Sequence, residues 1–154
     1  MATVEDRAVD AHPARQFDFW LGDWDLRWEP DGRGVNVITS ILDDHVVLER
    51  FDGRPSIPLA GMSVSVFDRD IGRWRQVWVD SDGQYLDFVG GRAGDRMVLE
   101  RRRSDGRRQR MVWSNIAAES LHWSWEHSDD DGASWTVDWA VDYRRQSLVA
   151  ASEA

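Results

Sequence analysis

From Asp23 to Trp28 the chain alternates without a break: Asp23, Asp25 and Arg27 are polar, while Trp24, Leu26 and Trp28 are apolar. Successive side chains of an extended chain point to opposite faces, so this stretch reads as a strand with one face buried. Further short segments follow, at 34–42, 45–52, 61–68, 73–80, 84–91, 96–103, 107–117, 120–128 and 134–145. Between them lie turn signals such as Asp31-Gly32, Asp82-Gly83, Gly94-Asp95 and Asp105-Gly106. No segment holds the 3.6-residue period for the length of a helix; only Phe17 to Leu21, ahead of Gly22, reads as a short helical turn. About ten strands at this spacing make an all-β domain, either an antiparallel up-and-down barrel or a sandwich. The barrel removes the exposed edges that so strand-rich a chain would otherwise present. The expected organisation is a flexible tail over 1–15, a barrel over 16–146 and a second tail over 147–154.

Gly22-Asp23-Trp24 stands just inside the first strand, behind a helical turn. It resembles the opening of calycin barrels such as lipocalins, where that Trp plugs the closed end. The runs GMSVSVFDRDIGRWRQVWVDSDGQYLDF, FDFWLGDWDL, MVWSN and WSWEHSDDDGASW resemble a bacterial family of uncharacterised lipocalin-like proteins, over most of residues 17–145. That resemblance implies a calycin-like barrel with a central cavity, related in shape to fatty-acid-binding proteins and nitrobindins. It implies no particular ligand and no reaction. Trp24 is expected at the closed end, packed under Phe19 or Trp20.

Composition narrows the chemistry. At 154 residues the chain is a single domain large enough for a core. It has no Cys, which removes disulfides, thiol catalysis and thiolate-bound metals. All 19 basic residues are Arg, so lysine Schiff-base chemistry is excluded. A net charge of -9 disfavours nucleic acid and anionic membranes as partners. No apolar run approaches the ~20 residues of a membrane span. The polar N-terminal stretch lacks the apolar segment of a signal peptide, which points to the cytoplasm. The expected partner is a small molecule; a homodimer is left open.

Ten Trp are the second constraint. Trp24 and Trp28, Trp74 and Trp78, Trp123 and Trp125, and Trp135 and Trp139 are each spaced evenly, so each pair shares a strand face. A large aromatic core accounts for most of them. Packing so many indoles without voids is difficult, however, and each N–H needs a partner. A barrel of this size commonly keeps room for one small ligand.

Polar residues in phase with these Trp are the candidates to orient a ligand. Gln76 lies between Trp74 and Trp78, and Asp80 follows in phase. Met111, Trp113 and Asn115 share one face, as do Tyr85 and Asp87. Arg50 shares a face with Val46 and Leu48, and Glu49 points the other way. An inward polar group needs a hydrogen-bond partner, a water or a ligand. The expected ligand-binding set is Gln76, Trp78, Tyr85, Trp113, Asn115, Trp123 and Trp125. Asp80 and Asp87 are the expected catalytic carboxylates, should the cavity host proton transfer. Solvated outer faces and inter-strand networks are the competing explanation for all of these polar groups.

The remaining motifs carry less. His122 and His127 are five apart and face opposite sides of a strand, so no metal or other cofactor is expected. A nitrobindin-like haem would need one inward axial His, and His122 alternates with Trp123 and Trp125. Gly61-Met62-Ser63-Val64-Ser65 lacks the final Gly of a nucleophile elbow. Ser128 to Trp135 resembles an Asp-box turn, expected to close the last hairpin with its own side chains. Six Arg between 101 and 110 read as a solvated hairpin paired with neighbouring carboxylates.

The leading functional expectation is binding of a small apolar or aromatic molecule in a Trp-lined cavity. The alternative is an enzyme of cyclase or isomerase type that uses the same cavity with a buried carboxylate as acid/base. A structural domain with a filled interior is the third; a cavity of several hundred cubic ångströms would disfavour it.

Overall fold

The computed structural model describes residues 13–147. Two 3₁₀ turns, Pro13–Arg15 and Asp18–Trp20, precede ten strands. These are β1 (Gly22–Trp28), β2 (Gly32–Ile41), β3 (Val46–Asp52), β4 (Ala60–Asp68), β5 (Arg73–Asp80), β6 (Tyr85–Ala93), β7 (Arg96–Arg102), β8 (Arg108–Ser114), β9 (Ser120–Ser128) and β10 (Thr136–Arg145). Each strand pairs antiparallel with its neighbours in sequence, and β1 pairs with β10, so the sheet closes into an up-and-down barrel. Apart from Pro13–Arg15 and Ser147, the two expected tails lie outside the described residues.

The alternation seen in the sequence is the alternation of the wall. In β1, Trp24 and Leu26 are buried while Asp23, Asp25 and Arg27 are exposed. In β3, Val47, Glu49 and Phe51 are buried and Arg50 is exposed. In β6, Phe88 and Gly90 are buried and Leu86 is half-buried, so Tyr85 and Asp87 fall on the outer face.

One aromatic pairing does not survive. Trp135 and Trp139 do not share a face, because Trp135 precedes β10 and a bulge between Val137 and Trp139 shifts the register. A bulge sets an extra residue into one strand, which undoes a count by twos. Trp139 enters the barrel, whereas Trp135 lies outside against Arg110, 4.0 Å from its ring centroid.

The Asp-box stretch closes the β9–β10 hairpin with its own side chains. Ser128 Oγ donates to Asp130 Oδ1 at 2.8 Å, and the Gly132 and Ser134 amides donate to Ser128 Oγ and Asp130 Oδ1, each at 2.8 Å. The Arg-rich hairpin pairs with carboxylates nearby: Arg102 with Asp131, Arg107 with Asp129, Arg108 with Glu100 and Arg110 with Glu126.

Candidate functional site

The barrel interior is layered along its axis. At the closed end, the stretch before β1 forms an aromatic plug. Phe17 touches Trp20, Trp74 and Trp113, with ring centroids 5.0, 5.1 and 5.0 Å away. Trp24 is fully buried beneath it and donates its indole N–H to the Trp20 carbonyl at 2.8 Å. These contacts follow from the sequence: the chain arrives through a 3₁₀ turn, and Gly22, at φ 132, re-aims it into the strand.

Above the plug lies a polar layer drawn from several strands. Glu49 is 7% exposed and accepts from Asn36 Nδ2 and Ser63 Oγ, both at 2.7 Å. The same Asn36 nitrogen donates to Tyr143 Oη at 2.9 Å. Gln76 is also inside and donates from Nε2 to Ser65 Oγ at 2.9 Å. Burial pushes the Glu49 carboxyl above its ordinary value, against the two hydrogen bonds that favour the carboxylate. No described Arg or His lies within ion-pairing distance of Glu49. A carboxyl buried without a cation takes up a proton instead. Burial pushes the Tyr143 phenol up, so it keeps its hydrogen.

Beyond this layer is a cavity of about 190 Å³. Its wall includes Trp78, Trp113, Trp123, Trp125 and Trp139 together with Phe51, Phe88, Met111, Glu49 and Tyr143. Trp139 meets Trp123 edge to face at 5.4 Å, and Trp28 backs it at 5.3 Å. The cavity reaches the surface at Asp80 and Gln84. There Asp80 Oδ2 accepts from the Trp78 indole at 2.8 Å, and Asp80 Oδ1 accepts from the Asp82 and Gln84 amides. Asp80 is thus a rim residue that fixes Trp78.

The expected site residues divide accordingly. Trp78, Trp113, Trp123, Trp125 and Asp80 come together on one cavity. Gln76 points inward but does not line it. Tyr85, 69% exposed, and Asp87 are on the outer face. Asn115 lies past the end of β8 with φ 48, exposed, because the chain leaves the strand before the alternation could carry it inward. His122 faces away from Trp123 and bonds Asp142 outside at 2.9 Å. Among the described residues no group of three or more His, Asp or Glu is placed to hold a metal ion.

Glu49, Asn36, Ser63 and Tyr143 were not among the expected site residues. The signal lay in the alternation itself: Glu49 sits in phase between Val47 and Phe51, and Asn36 in phase with Ile38. A polar residue flanked in phase by large apolar ones faces a core.

A larger open groove of about 560 Å³ runs outside the closed end, past Gln16, Trp74, Gly91, Arg92 and Arg96. It shares no lining residue with the interior cavity. No family model matches this sequence, and no curated protein matches it. Among the described residues no helix is long and apolar enough to cross a membrane.

Proposed function

We propose that the protein binds a small, largely apolar or aromatic molecule inside a calycin-like, lipocalin-type barrel. The observation that carries this reading is the cavity of about 190 Å³ walled by five indoles. An apolar cavity of about 150 Å³ already admits benzene, so the room here suits one or two rings. It is smaller than a typical drug-sized pocket and falls short of the several hundred cubic ångströms that would disfavour a filled interior, so the reading rests on the indole lining. Apolar burial is worth about 25 cal/mol per Å² before binding costs, which supports affinities on the order of micromolar for such a ligand.

The test is calorimetric titration with indole and with naphthalene-sized aromatics. Saturable binding is expected in the wild type, weakened at least tenfold in Trp123→Ala and unchanged in Tyr85→Ala and Asn115→Ala, which lie outside the cavity. Absence of saturation, or equal losses in all three variants, refutes the reading.

One observation favours a second reading, an isomerase or cyclase in the same cavity: Glu49 is a buried carboxyl on the cavity wall. In that reading Glu49 transfers the proton. Asp80, engaged by Trp78 at the rim, and Asp87, outside, are less well placed for the role.

A further inference from the structure

The polar layer leaves hydrogens over. Both Asn36 Nδ2 hydrogens are used, one on Glu49 Oε2 and one on Tyr143 Oη. Tyr143 Oη therefore accepts, and its own hydrogen has no protein acceptor among the described hydrogen bonds. Glu49 and Ser63 share one short contact at 2.7 Å. With Glu49 neutral, this pair holds two hydrogens and spends only one on the contact. A third donor, the Trp113 indole N–H, is buried with no partner. Glu49, Tyr143 and Trp113 all line the cavity. The buried side-chain oxygens left without partners, Asn36 Oδ1 and Gln76 Oε1, belong to residues that do not line it. Away from Asp80 and Gln84 at the mouth, the inner wall of the cavity is thus rich in donors and poor in free acceptors, and what reaches it should bring an acceptor.

We propose that Glu49 and Tyr143 form a paired donor site for one oxygen atom of the occupant, a carbonyl oxygen on a compact aromatic molecule. This deepens the binding reading above and rests on it. Two neutral donors aimed at one carbonyl polarise it without placing a charge in the cavity. Their cost of organisation is already met by Asn36, which holds both oxygens at once. An amine ligand fits less well. It brings donors to a wall that already has unspent ones, and it would require Glu49 to ionise in a buried setting.

The test uses three probes of one shape: acetophenone, with a carbonyl; α-methylstyrene, with a methylene in place of the oxygen; and 1-phenylethylamine. Binding is measured by calorimetry, and the carbonyl stretch of bound acetophenone by infrared difference spectroscopy. Each net hydrogen bond is worth several-fold in affinity, so acetophenone should bind about tenfold or more tightly than α-methylstyrene. Its carbonyl stretch should shift to lower frequency than in water. Tyr143→Phe should cut the preference several-fold and move the stretch back. Glu49→Gln, whose amide can still donate, should keep most of the preference, and Glu49→Leu should lose it. Circular dichroism and melting of each variant identify any that fail to fold, and the wild-type comparison stands without them.

Equal binding of acetophenone and α-methylstyrene overturns the donor pair while leaving the binding reading intact. That result would mean the Asn36 amide lies the other way round, its oxygen taking both hydroxyl hydrogens. Tighter binding of the amine, abolished by Glu49→Gln, also overturns it, because Glu49 would then act as a counter-ion. If no probe binds the wild type while indole does, the donor pair falls and the cavity reading stands. If nothing binds at all, both fall.

Discussion

The guanidinium of Arg145 lies over Trp24, 4.2 Å from its ring centroid, and clamps the plug to the last strand. From there it donates to the carbonyls of Leu21 at 2.6 Å, Phe19 at 3.0 Å and Ala118 at 2.7 Å. One planar group so satisfies three carbonyls and covers an indole; a compact ammonium, with three donors on a single nitrogen, has no such spread. Truncating a buried aromatic costs ~3–5 kcal/mol. Trp24→Ala should therefore lower the melting temperature by roughly 10 °C or more. Arg145→Lys should also destabilise, by less. A Trp24→Ala variant that melts within a degree or two of wild type would refute the plug.

Glu49 gives the barrel a pH signature. Its folded pKa is raised above the ordinary 4.5, so the native state holds a proton that the unfolded chain releases. Stability associated with Glu49 is full below about 4.5 and declines as pH rises toward the folded value. Glu49→Gln removes this titration. The variant should match wild type most closely near pH 4 and gain on it steadily as pH rises above about 4.5, in urea midpoints measured at each pH. A wild-type-minus-variant difference that stays flat across that range is the contrary outcome.

Asp130 acts in the opposite sense. Hydrogen bonds from the Ser134 hydroxyl and amide, and from Ser128, hold its carboxyl at about 2. The stability it adds is present above the ordinary value of 3.8 and lost as pH falls through about 2. Asp130→Ala should loosen the β9–β10 hairpin and free Trp135 from Arg110, changing the near-ultraviolet dichroism and speeding proteolysis at 129–135. Unchanged cleavage would show that the turn closes without this carboxyl.

At the cavity rim, Gly61 faces the Trp78 indole so closely that a methyl group there would collide with the ring. Gly61→Ala should swing Trp78 out of place, breaking its hydrogen bond to Asp80. The protein should stay folded, because the ring is at the surface end of the cavity, while affinity for indole-sized ligands falls several-fold. Undiminished binding would place the route of access elsewhere.

The wall of the barrel was legible because alternation is a local property. Alternation puts Trp78 on one face with Gln76, and Trp113 on one face with Met111, without saying which face is the inner one. Alternation stops being enough at several positions. Asn115 is two residues past Trp113, yet the backbone has already turned into a left-handed conformation. Tyr85 and Asp87 do share a face, but Leu86 and Phe88 claim the interior, so the shared face is the outer one. Trp135 is separated from Trp139 by a bulge, which no spacing rule reveals. Glu49 alternates opposite Arg50 as the sequence has it, but its meaning depends on Asn36, Ser63 and Tyr143 arriving from three other strands. Such a convergence depends on register across the barrel, which a single strand does not encode.

The seam between β1 and β10 brings together residues 126 positions apart, such as Phe19 and Arg145. Closure therefore waits until β10 has left the ribosome. Until β10 emerges, β1 and β9 each present an unpaired edge, and the indoles meant for the interior have no roof. Contacts this distant form slowly, and open edges invite pairing with other chains. Synthesis of this protein thus carries a waiting period in which its own partner strand competes with every neighbouring copy. A chain cut short before Thr136 would remain in that period permanently, as an adhesive sheet rather than a smaller barrel.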